Sequence, residues 1–257
     1  VPGARPDRYD APVSDQPSVL VTGASSGIGR AVADQLRDSG WSVTCLVRRP
    51  DAPEGTRIVV GDAADPAAIA RAVAEAAPAG RLDGLVCSAG LPPSGPWDDP
   101  AHWERTLAVD LTAPYDAARL AWPALRAARG SVVLVGSIIG ATEGSGRSPA
   151  YAAAKAGLEG LARSLAVIGG PDGVRVNVVA PGAIDTPFDP AAFPADDRPD
   201  VPLGRMGSAD EIATIAAFLL SPASAYVSGA VWTADGGRSA LSPAAAALRG
   251  AARGPRP

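Results

Sequence analysis

Tyr151 and Lys155 stand four residues apart in the pentapeptide YAAAK, and that lysine is the only one in the 257-residue chain. The other 22 of its 23 basic residues are arginine. On a helix, positions i and i+4 share a face, so a phenol and an ammonium at this spacing can meet. The chemistry open to such a pair is proton transfer. A free phenol, with a pKa of about 10, exchanges its proton poorly at neutral pH, and a neighbouring cation stabilises the phenolate and lowers that value. A compact ammonium with three donors suits this work better than a planar guanidinium. Ser137 closes the run SVVLVGS (131–137), fourteen residues before Tyr151. Its hydroxyl is a hydrogen-bond donor placed where a strand ends.

A second group of residues points to a phosphate-bearing ligand. TGASSGIG (22–29) joins an apolar run to an amphipathic stretch, with Gly23, Gly27 and Gly29 spaced G-x-x-x-G-x-G. Glycines there allow a tight turn and let a pyrophosphate approach backbone N–H groups at the positive end of a helix. The same letters spell GASSG, a G-x-S-x-G elbow with Ser25 as nucleophile. That reading needs a histidine base, and the one histidine, His102, sits at a helix start as a surface or packing residue. An elbow also normally follows several strands, whereas this one follows the first. One histidine and the distant Cys45 and Cys87 make no usual transition-metal site, so no metal is expected.

Seven short runs rich in valine and leucine must position these groups: 18–23, 41–47, 57–61, 82–88, 131–137, 174–182 and 230–237. Between them lie helical patterns at 28–40, 66–77, 100–129 (interrupted near Pro114), 150–168 and 208–221. The alternation predicts an α/β fold: a single doubly wound domain, its parallel sheet covered on both faces and its ligand beyond the carboxyl ends of the strands. Residues 18–239 form that domain. Residues 1–17 and 240–257, rich in proline, alanine and glycine, are expected to be flexible tails, with a short helix possible at 244–249.

Composition narrows the function further. A net charge of −4 and a pI near 5.1 give no electrostatic footprint for nucleic acid. No apolar run reaches membrane-spanning length, and the first residues carry no basic-then-apolar signal pattern. Two cysteines inside apolar runs read as buried free thiols of a reducing compartment, hence a cytoplasmic protein.

TGASSGIG, SAG (88–90), Ser137, YAAAK, VNVVAPG (176–182) and DGG (235–237) stand in one order. Together they resemble the short-chain dehydrogenase/reductase family over about residues 18–237, most nearly its 3-oxoacyl-carrier-protein reductase type. The resemblance implies a seven-stranded Rossmann fold, a nicotinamide cofactor, Ser–Tyr–Lys catalysis and a homotetramer or homodimer. It makes Tyr151 the proton donor or acceptor, with Lys155 also hydrogen-bonded to the nicotinamide ribose. The cofactor would lie along Gly23, Ser25, Ser26, Gly27, Ile28 and Gly29 and against Ser88, Ala89 and Gly90. Asp62 and Ala63 would meet its adenine. Pro181, Gly182, Ile184 and Thr186 would bind its carboxamide and nearby phosphate.

At the end of the second strand, Val47 is followed by Arg48 and Arg49, two guanidiniums that suit a 2′-phosphate. NADP is therefore the expected cofactor, with NAD possible because Ser26 replaces the basic residue that many NADP-dependent members carry. Two departures from the family pattern stand out. Cys87–Ser88 replaces an asparagine pair that braces the sheet end, and Asp110 replaces a catalytic asparagine whose carbonyl holds a water feeding protons to the lysine. An ionised Asp110 would attract Lys155 and retune that relay.

The expected activity is NAD(P)-dependent interconversion of a small ketone, or an acyl thioester, and its secondary alcohol. Alternatives are a nucleotide-binding regulatory subunit or an NAD-dependent alcohol dehydrogenase. Phe188, Phe193, Leu203 and Met206 would roof a modest pocket. Arg119, Arg126 and Arg129 are candidates for docking an acyl carrier.

Overall fold

Valine and leucine run through β1 (Ser18–Thr22), β2 (Ser42–Val47), β4 (Gly84–Cys87), β5 (Ser131–Val135) and β6 (Arg175–Pro181) with few polar breaks. Such strands suit a sheet with no wet face. In the computed structural model, which describes residues 16–188 and 201–242, they form that sheet. Its edges are β3 (Arg57–Val60) and β7 (Val231–Ala234). All seven strands are parallel, in the order β3-β2-β1-β4-β5-β6-β7.

Alternate side chains along each strand enter opposite layers, as the two-residue period of a strand requires. On one face α1 (Gly27–Asp38) and α7 (Ala209–Leu220) set Val32, Leu36, Ile212 and Leu219 against Val19, Val21, Cys45 and Val86. On the other, α2 (Pro66–Ala76), α4 (Ala113–Ala128) and α6 (Pro149–Gly169) set Ala72, Ala117, Ala121 and Leu158 against Leu20, Leu46, Leu85 and Leu134. Each fully buried leucine contributes about 2 kcal/mol, and the alanines let the helix backbones lie close to the sheet.

The chain starts mid-sheet at β1, runs outward to β3, then returns to β4 on the other side of β1. The strand order reverses there, and the connections that leave β1 and β4 run to helices on opposite faces of the sheet, which leaves a crevice between them. Gly23 follows β1 with φ +73°, and a Cβ on it would lie 2.6 Å from the Ala89 amide nitrogen that follows β4. Only glycine fits that approach.

Two boundaries differ from the sequence expectation by more than two residues. The long helical region breaks not at Pro114 but one turn earlier: α3 (Pro100–Leu107) passes into a π-helical turn, Ala108–Thr112, centred on Asp110. Pro114 sits in the first turn of α4, directly after the π turn, and has no N–H to donate back to it. β7 is four residues long rather than eight, because the Asp235 carboxylate accepts from Gly237 N at 2.8 Å and Ser239 N at 2.6 Å and turns the chain. A single turn, α5 (Ile138–Ala141), follows β5.

Cys45 and Cys87 are buried free thiols. Among the described residues no helix is long and apolar enough to cross a membrane, and no group of side chains could hold a metal ion. Phe193, the suggested helix at 244–249 and nearly all of both expected tails lie outside the described residues.

Candidate active site

α6 begins at a fixed point. Ser148, fully buried, accepts from Tyr151 N at 3.2 Å, and Pro149 occupies the first turn. This cap places Tyr151 in the first turn and Lys155 one turn on, along the same face, each only 6% exposed. Lys155 Nζ lies 5.3 Å from the centroid of the tyrosine ring. It donates to the carbonyl of Val135, the last residue of β5, at 3.1 Å. It also lies 3.1 Å from Asp110 Oδ1. The approach to Oδ1 is oblique, so this contact is an ion pair without well-aligned hydrogen-bond geometry.

The π turn is what brings the carboxylate there. Its closing bond runs from Ala113 N to the Ala108 carbonyl, one residue wider than an α turn. Asp110 is wholly buried, and its Oδ2 accepts from Leu91 N at 3.1 Å. Gly90 makes room: a Cβ on it would lie 2.7 Å from Asp110 Oδ1. Burial works to lower the Lys155 pKa, but the charge of Asp110, and then that of Tyr151, outweigh it and hold the ammonium above its ordinary value. Burial pushes the nearby Cys87 thiol up to about 12.

A cleft of about 850 Å³ runs from the glycine turn to these side chains. Gly27 has φ +55° and faces Thr186, whose Cβ would lie 3.5 Å from an added Cβ. A Cβ on Gly29 would overlap the Gly23 carbonyl. Ser26, at the N-cap of α1, makes no side-chain cap bond, and the first turn of α1 holds no acid. The positive end of α1 is thus open to an anion. Missing Cβ atoms, free backbone donors and an acid-free turn fit the pyrophosphate of a dinucleotide.

The structure gathers most of the residues expected from sequence around this one cleft. The glycine-turn group, Arg48, Asp62, Ala63, Ser88, Ala89, Gly90, Ser137, Tyr151, Lys155, Pro181, Gly182, Ile184 and Thr186 all line it. Ser137 is half-buried, and its Oγ accepts from Ile139 N at 3.1 Å. Phe188 and Met206 of the expected roof line it too, but three expected residues do not: the exposed Leu203, Arg49 and Asp110. Arg49 is exposed beyond its rim, in the bend that follows β2, whereas Arg48, also exposed, reaches the lining. Asp110 lies behind the cleft wall and meets it through Lys155. His102 Nε2 faces Ser148 Oγ at 3.5 Å, a packing contact at the start of α6.

Sequence reasoning missed three contributors. Thr22 Oγ1 accepts from Ser88 N at 3.2 Å and Ala89 N at 3.3 Å, bracing the sheet end where the family asparagine pair is lost. Its place at the end of β1 was visible, but its partners follow only from the β1–β4 pairing. The Val135 carbonyl and the Leu91 amide, both backbone, leave no mark on side-chain identity. At the other end of the cleft, Arg238 after β7 forks onto Glu143 at 2.8 and 3.0 Å. These two residues lie 95 positions apart and both line the cleft.

Known proteins agree with this geometry. Residues 23–239 match a family model described as enoyl-(acyl carrier protein) reductase. The chain is 39% identical over 241 residues to the cis-4-hydroxycyclohexanecarboxylate dehydrogenase of Sinomonas cyclohexanicum, spanning 86% of this chain and 96% of that one. It is 35% identical over 237 residues to the 3-oxoacyl-[acyl-carrier-protein] reductase FabG of Escherichia coli K12, spanning 85% and 95%. Among solved structures, the ligand-free aldohexose dehydrogenase of Thermoplasma acidophilum superposes with a TM-score of 0.82 at 28% identity, spanning 89% and 96%. Sheet order, crevice and matched span point the same way, and the chain belongs to the short-chain dehydrogenase/reductase family of oxidoreductases.

Proposed function

We propose that this protein is an NADPH-preferring ketoreductase that interconverts a small ketone and its secondary alcohol, with Tyr151 as the acid and base. The observation that carries the reading is the buried Tyr151–Lys155 pair meeting Ser137 at a cleft that begins in an acid-free glycine turn. Family members use NAD(P), and a bound nicotinamide supplies or accepts the hydride. The remaining work falls to this chain. Ser137 Oγ already accepts from Ile139 N, which leaves its own proton to donate to the substrate oxygen. In reduction the carbonyl carbon gains hydride, its oxygen gains electron density, and the Tyr151 phenol delivers the proton that neutralises it. In oxidation the same proton returns to Tyr151. Lys155 donates to Val135 O and is ion-paired with Asp110, which fixes the ammonium beside the ring.

Arg48 supports NADPH over NADH, since it is the one arginine of its pair that lines the cleft and guanidinium suits a 2′-phosphate. A small free substrate is favoured over a carrier-bound one. Arg119 and Arg126, two of the three arginines suited to carrier docking, are already paired with Asp116 and Asp172 at 2.8 Å each. The test is to titrate NADPH and NADH into the purified protein, then screen ketones, secondary alcohols and β-ketoacyl thioesters for cofactor turnover. Tight NADPH binding with ketone turnover supports the reading. Tight binding without turnover on any carbonyl or alcohol would leave a nucleotide-binding regulator.

A further inference from the structure

The buried carboxylate against Lys155 has no counterpart in a proton relay built on asparagine. Three titratable groups act on the Lys155 ammonium: Asp110 from the π turn, Tyr151 from its own helix, and Cys87 from β4. Cys87 is held as the neutral thiol by burial, and Tyr151 carries charge only when it has lost its proton. Asp110 is therefore the one standing anion among them. It lies 3.1 Å from Nζ, with no exposed surface, in a position that the wide π turn and the missing Cβ of Gly90 both make possible.

With asparagine at 110, Lys155 would present a full positive charge to the crevice, and a cationic oxidised nicotinamide would meet it unfavourably. With aspartate, the pair sums to zero and that repulsion falls. We propose that Asp110 is a counter-charge to Lys155 that shifts the crevice toward the oxidised nicotinamide relative to the reduced one. The inference rests on the nicotinamide reading of the cleft. A crevice that prefers the oxidised ring favours release of hydride to the ketone once substrate is bound, in keeping with a reductase. Asp110 touches neither substrate nor cofactor and acts through Lys155, which makes it a positioning residue.

The test measures dissociation constants of oxidised and reduced nucleotide for the wild type, Asp110→Asn, Asp110→Ser and Lys155→Met, by calorimetry and fluorescence at fixed pH and salt. Charge addition predicts opposite signs. The ratio Kd(oxidised)/Kd(reduced) should rise about tenfold in both Asp110 variants and fall in Lys155→Met, as expected for removing one unit charge from a partly buried site. A change of fold alone would weaken both nucleotides together and leave the ratio in place. An unchanged ratio in the Asp110 variants, or a shift of the same sign in Lys155→Met, overturns the proposal. Failure of the wild type to bind either nucleotide would instead overturn the cofactor reading beneath it.

Discussion

Thr22→Val isolates the brace that replaces the missing asparagine pair. The substitution keeps the shape of the side chain and removes one oxygen, the acceptor for Ser88 N at 3.2 Å and Ala89 N at 3.3 Å. Both amides lie in half-buried backbone, so each lost partner costs about 1 kcal/mol, toward the low end for an unpaired buried donor. The pair together costs about 2 kcal/mol. In a chain of this size, each kcal/mol lowers the melting temperature by about 2–4 °C, so Tm should fall by about 4–8 °C. Ala89 N also forms the wall against Gly23, so loosening it should weaken nucleotide binding as well. Thermal melts followed by circular dichroism read the first effect and nucleotide titration the second. Thr22→Ser retains the oxygen and should restore most of both. A Val variant that melts with the wild type and binds nucleotide equally well would refute the brace.

Three further outcomes follow from the same geometry. Arg48→Glu should raise the NADPH Kd at least about tenfold, as loss of a guanidinium–phosphate contact implies, whereas Arg49→Glu, outside the cleft, should leave it nearly unchanged; direct titration distinguishes them. Ser137→Ala should lower kcat about 100-fold or more with little change in nucleotide affinity, as removal of one donor to a developing oxyanion does. At the start of α7, Glu211 is held down to about 2 by its bidentate contact with Arg205 and by the Ser208 amide it accepts from. Because the folded value is depressed, its contribution is present above the unfolded value of about 4.5 and is lost as pH falls through about 2. The Tm gap between wild type and Glu211→Gln should therefore be full at pH 7 and shrink below pH 4.5.

All seven strands and the five main helical regions were legible from sequence, because buried parallel strands concentrate valine and leucine and amphipathic helices repeat every three to four residues. The glycine turn and the Tyr151–Lys155 pair were legible for a similar reason: each is local, set by spacing within one element. What escaped was non-local or carried by backbone. The π turn around Asp110 has no residue signature, and proline at 114 drew the expected break a turn too late. Thr22, Leu91 and the Val135 carbonyl matter through partners on other elements, and the Glu143–Arg238 fork joins loops that meet only once the sheet is complete. Arg48 and Arg49 looked equivalent as adjacent letters, but in the bend after β2 only Arg48 reaches the cleft.

The central claim is that the Tyr151 phenol, buried against a lysine paired with Asp110, moves the proton at the head of a nucleotide crevice. Single-turnover oxidation of NADPH by Tyr151→Phe, with the best ketone from the screen, tests it most directly. Nucleotide binding should stay close to that of the wild type and hydride transfer should slow by about 100-fold or more, the scale of a lost general acid. Oxidation at the wild-type rate would contradict it.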